Sequence, residues 1–340
     1  MSKFNFCTFF DKNYLFKGLA LYYSLCNHCP QFDLWVVCFD DLTYSILKKM
    51  RIDNIHLVPL REFEDKELLR VKNFRTKTEY YWTCTPSVPF YILNRNPQLK
   101  EIFYIDADMF FWGSPEPVHE EFNSNSILII EHRFLNKDKK VFLEASNNLG
   151  IYNVGLIGFR NDKIGLECLQ WWRDHCIEWC YYRKEGNKFG DQKYLDDWPE
   201  RFPKVVILQH KGVCVAPWNI NNYKITNKKG KIILDGQELI LYHFHAFQEC
   251  DWFVFDWGIG NYPLYKKNVR FIYTSYARAI KQAMKEARQI TPNFQFPGSE
   301  KWTNWKKWVV NMPLYPFFGP IFLRIFEILK GIKRLAKRVF

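Results

Sequence analysis

The stretch Glu101-Ile-Phe-Tyr-Ile-Asp106-Ala-Asp108-Met-Phe-Phe-Trp-Gly113 reads as a buried strand that delivers two carboxylates at its carboxyl end. In an extended segment residues i and i+2 point to the same side, so Asp106 and Asp108 project together. Two anions a few ångströms apart repel and lose hydration unless a cation lies between them or water covers both. An apolar strand ending in Asp-x-Asp suits a hard divalent ion, Mg²⁺ or Mn²⁺, that also takes phosphate oxygens. The bare tripeptide equally fits a solvated turn after a strand, so its surroundings decide its weight.

Working outward, short β-branched and aromatic runs recur at residues 4–9, 34–39, 55–60, 102–105, 127–130, 154–159 and 205–208. Between them, residues 14–27 carry Leu15, Leu19, Tyr22, Tyr23 and Leu25 at helical spacing. Residues 40–50 open on Asp40, Asp41 and Thr43, which suits a helix N-terminus. Strands with two apolar faces joined by helices predict an α/β fold: a mixed, mainly parallel sheet covered by helices on both faces. In such sheets the ligand lies beyond the carboxyl ends of the strands, where the Asp-x-Asp falls.

The chain has 340 residues, 48% of them hydrophobic and 19% aromatic, enough for a sizeable core. Its net charge of +12 invites a nucleic-acid reading, but residues 301–340 supply +8 of it. The remaining +4 over 300 residues is an ordinary mixed surface, and no nucleic-acid partner is expected. The start, Met-Ser-Lys followed by a run broken at Asn5, Thr8 and Asp11, is too short and polar for a signal peptide, and no apolar run reaches 18 residues. A cytoplasmic location with reduced cysteines follows as an expectation. Cys26-x-x-Cys29 and Cys176-x-x-x-Cys180 read as buried thiols, with a zinc site as the minor alternative.

Phosphatases of the haloacid-dehalogenase type also use Asp-x-Asp, but continue it to Thr or Val where this chain has Phe110. A different set of motifs is more specific. Phe6-Cys-Thr8-Phe9-Phe-Asp11-Lys-Asn13-Tyr14-Leu, Tyr104-Ile-Asp106-Ala-Asp108, Tyr152-Asn153-Val-Gly155-Leu, Gly190-Asp191-Gln192 and His243-Phe-His245 occur in this order. The chain thereby resembles retaining GT-A-fold glycosyltransferases of family eight, whose members include glycogenin and bacterial lipopolysaccharide glycosyltransferases. The resemblance spans residues 4 to about 250.

That resemblance implies a Rossmann-like GT-A fold and transfer of a hexose from a UDP-sugar to a glycan or lipid-linked acceptor. It implies that Thr8, Phe9, Asp11, Asn13 and Asp106 meet the nucleotide, with Asp106, Asp108 and His243 on the metal. Asn153, Gly155 and His245 would meet the sugar, and Asp191 and Gln192 would carry catalysis. Imidazole beside two carboxylates tilts the metal towards Mn²⁺ over Mg²⁺. Which of His243 and His245 binds metal stays open, because both share a face of an extended segment. Gln192 is a poor nucleophile, which favours front-face attack with retention over a covalent intermediate. Two departures from the family stand out. Many family members have an Arg shortly after the Glu/Tyr-rich helix start, where this chain reads Glu79-Tyr-Tyr-Trp-Thr-Cys-Thr-Pro86, leaving Lys72, Arg75 or Lys77 for phosphate or sugar contacts. Gln248-Glu-Cys-Asp-Trp252 stands where the family has Lys-Pro-Trp.

From residue 321, Phe322, Ile325, Phe326, Leu329, Ile332, Ala336 and Val339 alternate with Arg324, Lys330, Arg334, Lys337 and Arg338 in the pattern of a basic amphipathic helix. Trp302, Trp305 and Trp308 lie among Lys301, Lys306 and Lys307 upstream, which suits an anionic membrane surface. A helix packed on the domain or on a second copy, hence a homo-oligomer, is the alternative. The expected organisation is a catalytic domain at 1–265, a helical extension at 266–300 and a membrane-associating tail at 301–340. Alternative functions are a metal-dependent phosphatase or nucleotidyltransferase, or a non-catalytic sugar-nucleotide or glycan-binding module.

Overall fold

The computed structural model describes residues 3–134, 148–228, 230–251, 254–258, 269–292 and 294. Strands β1 (Phe4–Phe10), β2 (Phe32–Cys38) and β3 (Ile55–Pro59) pair in parallel through crossover helices α1 (Leu15–His28) and α2 (Asp41–Met50). Helices α3 (Leu60–Phe63), α4 (Lys66–Lys72), α5 (Lys77–Cys84) and α6 (Ser87–Arg95) then return the chain to β4 (Glu101–Ile105) beside β1. After β5 (Met109–Phe111) and α7 (Glu116–Phe122) come β6 (Ile127–Glu131) and β7 (Tyr152–Arg160). Helices α8 (Lys163–Glu178) and α9 (Trp198–Arg201) precede β8 (Val205–Ile207).

The seven-stranded sheet has the order β3-β2-β1-β4-β7-β6-β8. β7 is antiparallel to β4 and to β6, while β6 and β8 are parallel. One strand therefore runs against the rest, and the sheet is mixed and mainly parallel, as the patterning predicts. Alternation of side chains sorts the core into two layers. Phe6, Leu34, Phe103, Ile105, Leu128 and Leu156 face α1 and α2, while Cys7, Ile102, Tyr104, Ile127, Ile129 and Ile157 face α5, α6 and α8. Both faces are dry, which is why these strands read as continuous apolar runs.

Helix starts follow local chemistry. Asp40 accepts the Thr43 amide at 2.7 Å to cap α2, and Asp162 accepts that of Gly165 at 2.8 Å to cap α8. Thr76 and Glu79 form a reciprocal capping box at α5.

The last third of the described chain adds further short strands, of which the one at Leu241–His243 follows from the apolar stretch 239–242. A meander of β9 (Ile225–Lys228), β10 (Lys231–Leu234) and β11 (Gln237–Glu238) leads into β12 (Leu241–His243), and a hairpin of β13 (Gln248–Asp251) and β14 (Val254–Asp256) follows. β12 pairs with β5 so that His243 lies opposite Met109. Helix α10 (Val269–Ile290), the described part of the expected extension, buries Tyr273 and Tyr276 against this region, with the Tyr276 ring stacked 3.7 Å from Phe244. The basic tail at 301–340 lies outside the described residues. Among the described residues no helix is long and apolar enough to cross a membrane.

Candidate active site

The Asp106-Ala-Asp108 turn sits where β4 ends, beyond the carboxyl edge of the parallel strands. Three backbone bonds fix it: Asp106 N to Gly155 O at 3.0 Å, Met109 N to Asp106 O at 3.1 Å, and Phe244 N to Asp108 O at 2.9 Å. Strand β7 and the end of β12 thus clamp the loop between the two carboxylates. The β5–β12 pairing then brings His243 across, with Nε2 3.2 Å from Asp108 Oδ1 and 3.8 Å from Asp106 Oδ2. One ligand atom from each of Asp106, Asp108 and His243 lies within 4.8 Å of the other two. This is the one such group of three among the described residues. Its two carboxylate oxygens and an imidazole nitrogen are a donor set suited to Mn²⁺ or Mg²⁺, so the residues fit a divalent cation.

Burial pushes the Asp108 carboxyl up, but the adjacent His243 imidazole outweighs it and holds the group well below the usual carboxylate range. Burial likewise pushes His243 down, and Asp108 more than restores it, leaving its pKa raised. A positive charge is therefore already favoured between these groups. Asp106 keeps 33% of its side-chain surface open to solvent, while Asp108 and His243 are buried. The Tyr104 hydroxyl, from the strand itself, donates to Asp106 Oδ1 at 2.8 Å.

The other predicted residues are placed as follows. Thr8 is fully buried in β1, and Phe9 stacks on Phe39 with centroids 4.6 Å apart. Asp11, just past β1, is buried and accepts from Lys77, from the Tyr81 hydroxyl at 2.9 Å and from the Asn13 amide at 2.8 Å. Burial pushes the Asp11 carboxyl up, and Lys77 turns the balance so that it lies below its ordinary value.

Asn153 and Gly155 lie on β7 against the triad. A Cβ on Gly155 would stand 2.3 Å from Met109 Cε, 2.7 Å from Asn153 Oδ1 and 3.1 Å from His243 Nδ1, so a side chain here would have to displace the ends of Met109 and Asn153. His245 falls past the end of β12 and outside the triad, its ring centroid 6.0 Å from that of His243 and 5.6 Å from that of Trp218.

Asp191 is buried, and desolvation pushes its carboxyl up to about 7 against an opposing bond from the Thr85 hydroxyl, with the charge of Asp106 adding to the rise. It precedes a 3-10 turn over Gln192–Asp197 rather than a regular helix, and its side chain does not cap it. Gln192 Nε2 donates to Leu149 O at 2.7 Å.

Of the three cations expected near phosphate or sugar, Lys77 reaches Asp11, while Lys72 pairs with Glu64 at 2.6 Å and Arg75 donates to Ile177 O at 2.7 Å. Lys72 and Arg75 therefore serve the helical layer. The spacing did not single out Lys17, which lies in the first turn of α1. Lys17 is buried, donates to Phe247 O at 2.8 Å, and lowers the Asp108 carboxyl further. Its signal was a lone cation inside the apolar start of α1, between Phe16 and Gly18. Tyr104, quoted only as the start of its motif, and His132 were given no role, because an aromatic before Asp-x-Asp and a His at a strand end look like core from spacing alone. Cys29, Cys176 and Cys180 are buried free thiols, whereas Cys26 in α1 is exposed, a correction to the expected burial of all four; none of them joins a group of three potential metal ligands among the described residues.

No protein-family model matches the chain. It is 31% identical over 296 residues to YfnD of Bacillus subtilis (strain 168), covering 86% of this chain and 94% of that protein. It is 35% identical over 246 residues to YfnF of the same organism, covering 72% of this chain and 81% of that protein. Both are described as uncharacterized proteins. Among solved structures, that of the galactosyltransferase LgtC in complex with donor and acceptor sugar analogs aligns with a TM-score of 0.50 at 12% identity, covering 84% of this chain and 96% of that one. At that identity the likeness establishes the fold, which is GT-A.

Proposed function

The chain belongs to one family with YfnD and YfnF, and from its GT-A fold and its Asp106, Asp108 and His243 cluster we propose that it is a metal-dependent glycosyltransferase acting on a UDP-sugar. The cluster is the observation that carries this reading: a carboxylate pair and an imidazole converge beyond the sheet where a GT-A fold receives its donor. When bound, a divalent cation would neutralise the charge that grows on the departing diphosphate.

The chain's own residues do the rest. Asp11 and Asn13, ordered by Lys77 and Tyr81, form the nucleotide-side wall, with Thr8 and Phe9 beneath them. Asn153, Gly155 and His245 face the transferred hexose. Asp191, poised between acid and carboxylate near neutrality, meets a sugar hydroxyl as donor or acceptor. Gln192 is oriented through its bond to Leu149 O. Because a carboxamide is a poor nucleophile, we assign retention by front-face attack, with Asp191 and Gln192 positioning the reacting centre. No carboxylic acid need protonate a leaving group whose charge a cation takes up, unlike in glycosidases.

The acceptor is a glycan or a lipid-linked glycan. The cationic, tryptophan-bearing sequence of 301–340 supports peripheral attachment to the anionic cytoplasmic face of a membrane. Isothermal titration of UDP with and without Mn²⁺ tests the core of the proposal. Mn²⁺ should raise UDP affinity at least about tenfold, about 1.4 kcal/mol, and Asp108→Asn should remove that gain. Equal UDP affinity with and without Mn²⁺ would rule the reading out.

A further inference from the structure

Behind the sugar-facing wall, Asn153 is held by a residue that none of the five motifs contains. His132 follows β6 and is buried. Its backbone is held from both sides: its amide donates to Ile151 O at 2.9 Å, and its carbonyl accepts from Trp218 Nε1 at 2.8 Å and Asn219 Nδ2 at 2.9 Å. The ring stacks on Phe134 with centroids 4.5 Å apart and planes 10° from parallel. Such a ring has little rotational freedom.

Its two nitrogens meet different partners. Nδ1 lies 3.3 Å from Ile151 O, and Nε2 lies 3.3 Å from Asn153 Nδ2. A carbonyl oxygen can only accept, so Nδ1 must carry a proton. Burial drives the imidazole pKa down to about 4, so the ring is neutral at ordinary pH and has no second proton. Nε2 then presents a lone pair, and the amide of Asn153 must donate to it. On the other side, Asn153 Oδ1 accepts the Gly155 amide at 2.9 Å. Rotating the carboxamide by half a turn would set oxygen against the Nε2 lone pair and NH₂ against the Gly155 N–H, two repulsive contacts in place of two bonds.

We propose that His132, as its Nδ1–H tautomer, is a positioning residue that locks the Asn153 carboxamide in one orientation and so reserves its second N–H for a hydroxyl of the transferred sugar. This rests on the reading of Asn153 as a sugar contact given above. A core histidine chosen for packing alone would not require a lone pair at this atom.

Two measurements on the full-length protein test it. In ¹⁵N-histidine-labelled, metal-free protein, the long-range ¹H–¹⁵N spectrum should show a pyrrole-type Nδ1 and a pyridine-type Nε2 for the resonance that His132→Gln removes. The opposite tautomer overturns the proposal whatever the protein does to sugars. The second measurement separates sugar from nucleotide. His132→Leu should raise KM for hydrolysis of UDP-glucose or UDP-galactose by roughly tenfold, the loss of about one hydrogen bond. Mn²⁺-dependent affinity for UDP, which has no sugar, should stay within about twofold, because folding and metal binding are not touched.

His132→Gln, whose Oε1 can replace the Nε2 lone pair, should recover much of the loss. Asn153→Ala should raise KM similarly, and the double variant should add little. Equal losses for UDP and the UDP-sugars, or additive losses in the double variant, would reduce His132 to a packing residue. If wild type binds UDP with Mn²⁺ and hydrolyses neither sugar nucleotide, the functional reading is what fails, and the tautomer still decides the lock.

Discussion

Two residues beside the proposed metal site give separate readouts of it. Tyr104 donates to Asp106 Oδ1 from inside the core, and partners of this kind orient a ligand carboxylate and set its basicity. Tyr104→Phe is expected to lower Mn²⁺ affinity roughly 10–100-fold by titration calorimetry while the melting temperature moves by only a few degrees. Asp191 reports through pH. Its folded pKa of about 7 lies above the ordinary carboxylate value, so the folded protein binds this proton more tightly than the unfolded chain does. Its contribution to stability is therefore complete below about pH 4 and is lost as pH rises to about 7. In metal-free protein, Asp191→Asn should flatten that decline, by up to about 4 kcal/mol across the window. Urea unfolding of both proteins at pH 4.5 and 7 measures it. Parallel pH dependence in the two would show that Asp191 is not protonated by burial.

At the level of elements, legibility followed burial. The inner strands of the sheet were readable because both of their faces are dry and their apolar runs continuous, the partly exposed edge strands β3 and β8 from their β-branched runs, and α2 from Asp40 at its cap. The three residues of β5 merged with the Asp-x-Asp stretch, and β12 is as short. No period can be read over three residues. That pairing brings His243 rather than His245 beside the two carboxylates: β12 ends at His243, opposite Met109, and His245 lies in the turn that follows. The resemblance named His243 beside the acidic pair, and the pairing of these two short strands is what brings its imidazole to the carboxylates. β7 supplies the third wall, and its glycine sets the clearance. Gly155→Ala should push Met109 and His243 aside, lowering Mn²⁺ affinity by at least about tenfold at a stability cost of about 1–3 kcal/mol, with both read on one protein sample. Unchanged Mn²⁺ affinity would show that β7 does not shape the site.

Across the molecule, the site is built from segments far apart in the chain, and its rear support comes from the end of the described residues. Tyr273 and Tyr276 of α10 pack on Tyr242 and Phe244, the neighbours of His243, and Tyr23 of α1 is bonded to Glu286. A chain cut at residue 300 keeps α10, and it should retain Mn²⁺-dependent UDP binding while losing co-sedimentation with phosphatidylserine-containing liposomes. Retained liposome binding would move the membrane surface onto the folded domain. The order of five motifs carried the overall reading, because order constrains topology more than any tripeptide does.

Hydrolysis of a panel of UDP-hexoses with Mn²⁺, with excess EDTA, and with Asp108→Asn in place of wild type tests the central claim most directly. UDP should be released from at least one member of the panel, and both EDTA and the substitution should abolish that release. Release that persists undiminished in EDTA or in Asp108→Asn would contradict it.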